Sequence, residues 1–458
     1  MPNLTDALQI ASRAMDAQRL GLEVTGHNIA NVNTPAYARR VIDLRTRPPL
    51  YPGAPGTGVD VAGVRALRDS FVERRLLEAL PGEGRERVIA ETLSAVEALL
   101  GRPGESIDGA LTDFFDGFAA LVDDPTSTAA RVDVIARGQA LANAFRSAAT
   151  NFGAAQHDAD LVARDAVGEI NTLAGRIAEL NRSIAETIDP SSKAFFLDEQ
   201  HQVLDRLAEL IDVGTMSRED GGVDVTFGNG RSLVIGVNPH DLAISSGAGG
   251  LVVLQSDGAT VTSEITSGRL GGALHVRDVL VPDYLDRLDT IAYEVVEEVN
   301  ALHDAGFDLD GNDAGVFFTV LGAPGGAAAA IAVDPTLAAN PRLVGAAGTA
   351  SPGDNQTARA IADLRDGLVL DGGLSTLNDK FAELMRRVGG DARTAQDGVV
   401  TARDYLTQMQ NLRDAASGVS LDEEAVMMVK FQRAFEANAR FFTVIDQLSE
   451  LLMRTLGA

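Results

Sequence analysis

The residues able to do chemistry are scattered. Six histidines stand at positions 27, 157, 201, 240, 275 and 303, none three or four residues from another. That spacing is what places two imidazoles on one helix face for zinc, so no zinc site is expected. There is no cysteine, which removes thiolate ligands, thiol nucleophiles and disulfides. Asp308-Leu-Asp-Gly-Asn-Asp-Ala-Gly315 opens like a calcium loop. Its sixth position is Asp313 where a sharp turn needs glycine, and its twelfth is Thr319 where a bidentate glutamate belongs. It reads as a polar turn. No phosphate-cradling Gly-x-x-x-x-Gly-Lys-Ser/Thr, His-Glu-x-x-His or Gly-x-Ser-x-Gly is present. Acid pairs such as Asp123/Asp124 are adjacent in sequence, with no base to partner them. The expectation is therefore a protein with no catalytic residue, metal ligand or cofactor.

The elements that such residues would decorate are more informative. Residues 4–30 read as an amphipathic helix, with Leu8, Met15, Leu22 and Ile29 at heptad spacing and Leu4 and Ala11 in the second row. Gln18 and Thr25 interrupt that row, and one helix of a globular core fits the pattern as well as a coiled-coil seam does. Asn31-Val-Asn-Thr-Pro35 should end the helix. A Pro/Gly linker covers 48–58, and Val59, Val61 and Val64 suggest a strand. Residues 66–210 read as helical: 70–80, 85–100 with a break at Gly101–Gly104, 106–121, a long stretch 128–180, and 196–210. The apolar positions of 106–121 are Ile107, Leu111, Phe114, Phe115 and Phe118. A helix of the length of 128–180 implies a long bundle. Alternation at 221–227, the Gly228-Asn-Gly230 turn, and short apolar runs at 233–235, 251–254 and 261–265 predict a small antiparallel β unit. Helix resumes over 271–303 and 378–413, while 320–356 is rich in Gly, Ala and Pro and predicts no element.

The strongest helix is 421–456. Leu421, Met428, Phe435, Phe442 and Leu456 share one heptad row, and Phe431, Ile445 and Leu452 the next. Met427, Phe441, Val444 and Leu448 widen the stripe beyond what one helix partner covers. The fold class read from these patterns is mainly α with a smaller β part: paired terminal coiled-coil helices, a long helical-bundle domain and a small antiparallel β unit. The expected divisions are 1–50, 51–211, 212–267, 268–402 and 403–458.

The 458 residues are 45% hydrophobic, enough for a packed core of two to four domains, but only 5% aromatic with no Trp. The net charge is −26. Residues 1–50 and 403–458 together cancel to zero, so 51–402 carries all of it. Near-neutral apolar ends on an acidic middle suggest ends that associate and a middle that stays solvated. An acidic surface argues against nucleic acid and anionic membrane as partners. No apolar run reaches membrane-spanning length, and residues 1–5 begin no cleavable signal peptide. The expectation is a cytoplasmic chain, or one exported by a route that needs no such signal.

The segment Asn28-Ile-Ala-Asn-Val-Asn-Thr-Pro-Ala-Tyr37 resembles the signature of the bacterial flagellar rod, hook and hook-associated axial family. Asn28, Ile29, Ala30, Asn31, Thr34 and Tyr37 match it, and Ala36 replaces the usual glycine. Val299–Gly311 with Phe317-Phe318, Gly353-Asp-Asn355, Gly222–Val237, and Ser417–Ala425 followed by Lys430-Phe-Gln-Arg-Ala-Phe435 are similar to the hook–filament junction branch of that family, the hook-associated protein 1 group. The chain is short for that branch, which points to a reduced or missing outer domain. The resemblance implies a structural protein of the hook–filament junction, not an enzyme, that supports filament assembly. The N- and C-terminal helices would pair in an inner layer of a helical tube through Leu8, Met15, Leu22, Ile29, Met428, Phe431, Phe435, Phe442, Ile445 and Leu452. Implied partners are other copies of the chain, the hook protein, the next hook-associated protein on the filament side, and a flagellar export chaperone. The chaperone would cover Phe431, Phe435, Phe442, Leu448 and Leu452. Implied localisation is the extracellular flagellum, reached through type III export after a transient cytoplasmic stage. A hook or rod protein is the alternative. A peptidoglycan hydrolase, or an adaptor unrelated to flagella, explains fewer of the motifs.

Overall fold

A computed structural model describes residues 4–34, 37–49, 56–100, 106–247, 250–351, 353–370 and 372–456. The helices are α1 (Leu4–Ala30), α2 (Ser70–Leu100), α3 (Ile107–Asp123), α4 (Thr128–Glu186), α5 (Pro190–Leu210), α6 (Gly268–His275), α7 (Val281–Asp304), α8 (Ala327–Ala330), α9 (Pro335–Ala339), α10 (Gln356–Asp363), α11 (Leu377–Ser417) and α12 (Leu421–Leu456). The strands are β1 (Arg40–Thr46), β2 (Val59–Ala66), β3 (Val213–Ser217), β4 (Val223–Phe227), β5 (Arg231–Ile235), β6 (Asn238–Pro239), β7 (Leu242–Gly247) and β8 (Gly250–Gln255). All sheets are antiparallel: β1–β2, β3–β4–β5–β6 and β7–β8. The fold is mainly α with small antiparallel sheets, as the periodicities predict.

Local differences have physical reasons. The two helices expected at 70–80 and 85–100 are one, α2, with Pro81 inside it. Pro81 removes one helix hydrogen bond. Leu76, Leu77, Leu80, Val88, Ile89 and Leu93 are buried on either side of it, so packing holds the helix through the defect. The run 261–265 is a 3₁₀ turn, Thr262–Glu264, rather than a strand. Val261 donates one backbone bond to Val253 and then the chain turns, leaving Val261 and Ile265 as buried plugs. Strand β1 has no counterpart among the predicted elements, because the polar Arg40, Asp43, Arg45 and Thr46 hide its alternation. The stretch 320–356 contains α8, α9 and a 3₁₀ turn at Pro341–Leu343. Helix 271–303 is α6 and α7 joined by a π turn at Val276–Leu280. The break at 101–104, Pro35, Ala36 and linker residues 50–55 lie outside the described residues.

The chain divides into two discontinuous compact units. The first comprises Met1–Glu83, Val167–Gly268 and Ala402–Ala458; the second comprises Gly84–Ala166 and Arg269–Thr401.

The second unit spends the scarce aromatic residues on its core. Phe114, Phe118, Phe145, Phe152, Tyr284 and Phe317 are fully buried. Phe114 meets Phe118 and Phe317 edge-on at 5.3 Å between centroids, an arrangement that aromatic quadrupoles favour. Two polar residues of α7 organise the returning chain. Asn300 accepts from the backbone N–H groups of Phe317 and Phe318 at 3.0 and 2.8 Å and donates to the Phe318 carbonyl at 2.9 Å. His303 contacts the Gly315 carbonyl through Nδ1 at 2.6 Å and accepts from the Gly345 N–H at Nε2, 2.8 Å. This pairing requires a neutral ring, and full burial lowers its pKa to about 4. Asp308, the first residue of the calcium-like segment, is buried and accepts from the N–H groups of Asp310 and Asn312 at 2.8 and 2.9 Å. Its carboxylate closes its own turn.

Candidate assembly interface

In the first unit α1 lies along α12. Two contacts set the register. Asn28 donates to Glu424 at 3.1 Å, and a Cβ added at Gly21 would fall 2.7 Å from the Phe431 ring. Moving seven residues back on α1 moves seven forward on α12, so the helices run antiparallel with heptad spacing. The same register carries Ala14 toward Asn438 and Ala7 toward Ile445. The α12 face turned inward is Glu424, Phe431 and Ile445, with Met428, Phe435 and Phe442 half-buried beside them. The α1 face is built from small or polar residues: Ala11, Ala17, Gly21, Thr25 and Asn28 are buried, with Val24. Large α12 side chains pack against a shallow α1 surface, which lets the two backbones approach closely.

The apolar α1 residues selected by heptad spacing sit differently. Leu8, Met15, Leu22 and Ile29 are half-buried and flank the seam rather than forming its centre. On α12, Phe441, Val444, Leu448 and Leu452 are exposed, and Phe441, Val444 and Leu448 fall at helical spacing on a second face. Phe431, Phe435 and Phe442 therefore face or flank α1, Leu448 lies on the second face, and Leu452 continues the inward row beyond the described start of α1. The side chain of Leu456 lies outside the described residues.

The Asn28–Tyr37 segment is the anchor of this helix pair. Asn31 closes α1: its backbone N–H and its side-chain amide both bond to the His27 carbonyl, at 3.1 and 2.9 Å. Thr34 donates to the Asn31 side chain at 3.1 Å, and the Tyr37 N–H donates to the Thr34 carbonyl at 3.2 Å. The chain thus doubles back and aims Tyr37 at Asn28, whose Oδ1 accepts from the Tyr37 hydroxyl and the Arg40 N–H, each at 2.9 Å. Asn28 Nδ2 donates to the Arg40 carbonyl at 2.9 Å as well as to Glu424. One buried amide therefore ties the end of α1, the start of β1 and the start of α12. Burial raises the Tyr37 pKa, partly offset by Arg40, which stacks over its ring at 5.3 Å. Ile29 is half-buried beside this turn and Ala30 is exposed.

Charged residues that periodicity does not reveal complete the anchor. Arg39 donates to Glu424 and Glu423, each at 2.7 Å, and its backbone N–H to the Ser417 carbonyl at 2.8 Å. Asp198 on α5 accepts from Arg40 at 2.6 Å and from Arg68 at 2.8 Å, and Arg68 also reaches Glu73 at 3.2 Å. Arg413, near the end of α11, donates to Asp205 at 3.2 Å. Burial outweighs that arginine and raises Asp205 to about 6. Such a network fixes geometry more than it adds stability. The readable signal was Glu424 itself, seven residues before Phe431 and fourteen before Asn438.

None of these groups brings a nucleophile to a base, and among the described residues no cluster of three or more His, Asp or Glu could hold a metal ion. Among them, too, no helix is long and apolar enough to cross a membrane.

Known proteins show the same parts in the same order. Residues 8–37 match the flagella basal body rod protein family, 93–318 the helical domain of flagellar hook-associated protein FlgK, and 413–455 the C-terminal region of the basal body rod FlgEFG proteins. The chain is 25% identical to flagellar hook-associated protein 1 of Bacillus subtilis across 98% of each chain. It is 24% identical to the protein of that name from Escherichia coli, across 98% of this chain and 100% of the other. The flagellar hook junction protein FlgK from Burkholderia pseudomallei shares the fold, with a TM-score of 0.68 at 14% identity over 75% of this chain and all of that one. These relatives are structural proteins, so the chain is a structural component of the flagellum and not an enzyme. Its two end segments and its helical middle place it in the flagellar rod, hook and hook-associated axial family, within the hook-associated protein 1 group.

Proposed function

We propose that this protein forms the junction between the flagellar hook and filament and supports growth of the filament. The observation that carries this reading is the end-to-end similarity to hook-associated protein 1 of two distant bacteria, with all but 2% of the chain aligned. The α1–α12 pair would form the inner layer of the tube. Its second apolar face, through Phe441, Val444 and Leu448, would meet neighbouring copies in head-to-tail contacts that continue a helical lattice. The hook protein would lie below, and the next hook-associated protein above. The acidic remainder would form the solvated wall.

Export fits the same parts. The seam is shallow and its Asn28 end is locked by hydrogen bonds, while isolated terminal helices are marginal without partners. Such ends suit passage through a narrow type III channel. A cytoplasmic export chaperone would cover the exposed apolar surface of α12 beforehand. Limited proteolysis of the monomer would then trim the far ends of α1 and α12 first, and full resistance of both would count against it.

The deciding experiment is electron microscopy of cells lacking the gene, with flagellin assayed in the medium. Bare hooks with secreted, unassembled flagellin support the junction role. Missing hooks would move the protein to the hook or rod, and normal filaments would overturn the reading.

A further inference from the structure

The α1 helix carries two interior glycines with different surroundings. Gly21 is explained within the chain, because Phe431 occupies the space a Cβ would need. Gly26 is not: a Cβ there would meet no atom of the described residues within 4 Å. A glycine in a helix interior weakens the helix relative to alanine, and at this one the backbone of α1 is left uncovered. Gly26 lies in an open groove of about 710 Å³ between α1, β2 and the start of α5. Leu20, Val24 and Val64 form its apolar lining, and Phe195 stands beside it 59% exposed. The exposed polar groups on its rim are Glu23, which pairs with Arg19 at 3.3 Å, and His27, since Arg40 is committed to Asp198.

We propose that this groove receives the second apolar face of α12 from a neighbouring copy of the chain, with Gly26 as the point of closest backbone approach. The inference rests on the self-assembly put forward above and adds its socket. Three observations select this occupant. The face made by Phe441, Val444 and Leu448 is exposed in the single chain and repeats at helical spacing. Its length fits: Leu20 to Ala30 is ten residue steps, about 15 Å of helix, and Phe441 to Leu448 is seven, about 10 Å. Arg440, exposed next to Phe441, brings a further positive charge to the Glu23–Arg19 edge of the groove. The groove adjoins the α1–α12 seam on α1, so a helix seated there extends that helix layer sideways. The pairing is heterologous, α12 of one copy on α1 of the next, and can propagate around a tube.

The test uses the full-length protein in cells lacking the wild-type gene. Gly26→Leu puts a side chain into the groove, and its Cβ meets no other segment of its own chain. The purified monomer should unfold at an equal or higher temperature than wild type, yet cells should lose filaments and swimming, with flagellin accumulating in the medium. Gly26→Ala should impair swimming less. Independently, His27→Cys combined with Val444→Cys should give disulfide-linked multimers in isolated flagella and none in the purified monomer, since no native cysteine competes. Swimming, filamented Gly26→Leu cells, or no multimers from an assembled cysteine pair, would overturn the groove while leaving the junction role intact. Normal filaments in the deletion strain would instead defeat the junction role.

Discussion

Asn28 is the residue on which the terminal helix pair depends most heavily. Its side chain is buried, and it serves two donors and two acceptors. Asn28→Ala would orphan the Arg40 N–H and carbonyl, remove one partner from the Tyr37 hydroxyl, and leave Glu424 with Arg39 alone. Leaving a buried polar group unpaired costs about 1–3 kcal/mol. The Tyr37 hydroxyl and Glu424 can recover part of this through water or through Arg39, whereas the two backbone groups of Arg40 have no alternative in place. A loss of about 3 kcal/mol follows, which is about a hundredfold shift toward detachment of α1 and β1. Amide hydrogen exchange would read it: residues 21–28 and 40–46 should exchange about a hundredfold faster than in wild type, with α3 and α7 unchanged. Asn28→Asp is the sharper variant. It keeps Oδ1 but sets a second carboxylate 3.1 Å from Glu424, so it should be worse than alanine at pH 7 and recover toward pH 5 as one acid protonates. Wild-type exchange in Asn28→Ala, or an Asn28→Asp protein indifferent to pH, would refute the view that this amide anchors the helix pair.

Gly21→Val should force α1 from α12, because its Cβ would overlap the Phe431 ring. A cost of about 1–3 kcal/mol is expected, reversed in part by Phe431→Leu, and measurable by urea unfolding. Asp198→Asn would leave Arg40 and Arg68 facing one another without their shared carboxylate. It should cost about 3–5 kcal/mol in the first unit and loosen β1 toward proteases. His303 makes the second unit acid-sensitive. Its folded pKa is depressed to about 4 against 6.5 for a free imidazole, so its contribution is complete above pH 6.5 and is lost as pH falls toward 4. The full difference is about 3 kcal/mol at 1.36 kcal/mol per pK unit. The urea midpoint of wild type should fall from pH 7 to pH 4.5 more steeply than that of His303→Gln, and parallel slopes would contradict the assignment.

The long periodic helices were legible because a heptad or a wide apolar stripe repeats often enough to outvote exceptions. Residues 4–30 and 421–456 correspond to α1 and α12 residue for residue. The buried set Ile107, Leu111, Phe114, Phe115 and Phe118 was readable for the same reason. Short or polar elements were not. Strand β1 and the Arg39 before it carry charges that reach α5 and α12, so the hydrophobic alternation is weak and the strand shows itself only in its pairing with β2. The α1 seam was displaced for a related cause. Heptad reading selects the largest apolar residues, but the phenylalanines of α12 need a shallow surface and so face glycine and alanine.

Sequence alone determined that the chain is mainly helical, that its ends are amphipathic and near-neutral around an acidic middle, and that the Asn28–Tyr37 segment is an axial-family signature. The first two properties reside in local spacing and composition; the third is a resemblance carried by the matched residues. Tertiary structure alone decided that the ends run antiparallel, that Glu424 rather than an apolar residue meets Asn28, and that Gly21 and Gly26 have opposite surroundings. Residues 28 and 424 are separated by 396 positions, and no local pattern encodes which side chain a buried amide will find. That choice is made by packing, where a polar group that loses water must find a partner.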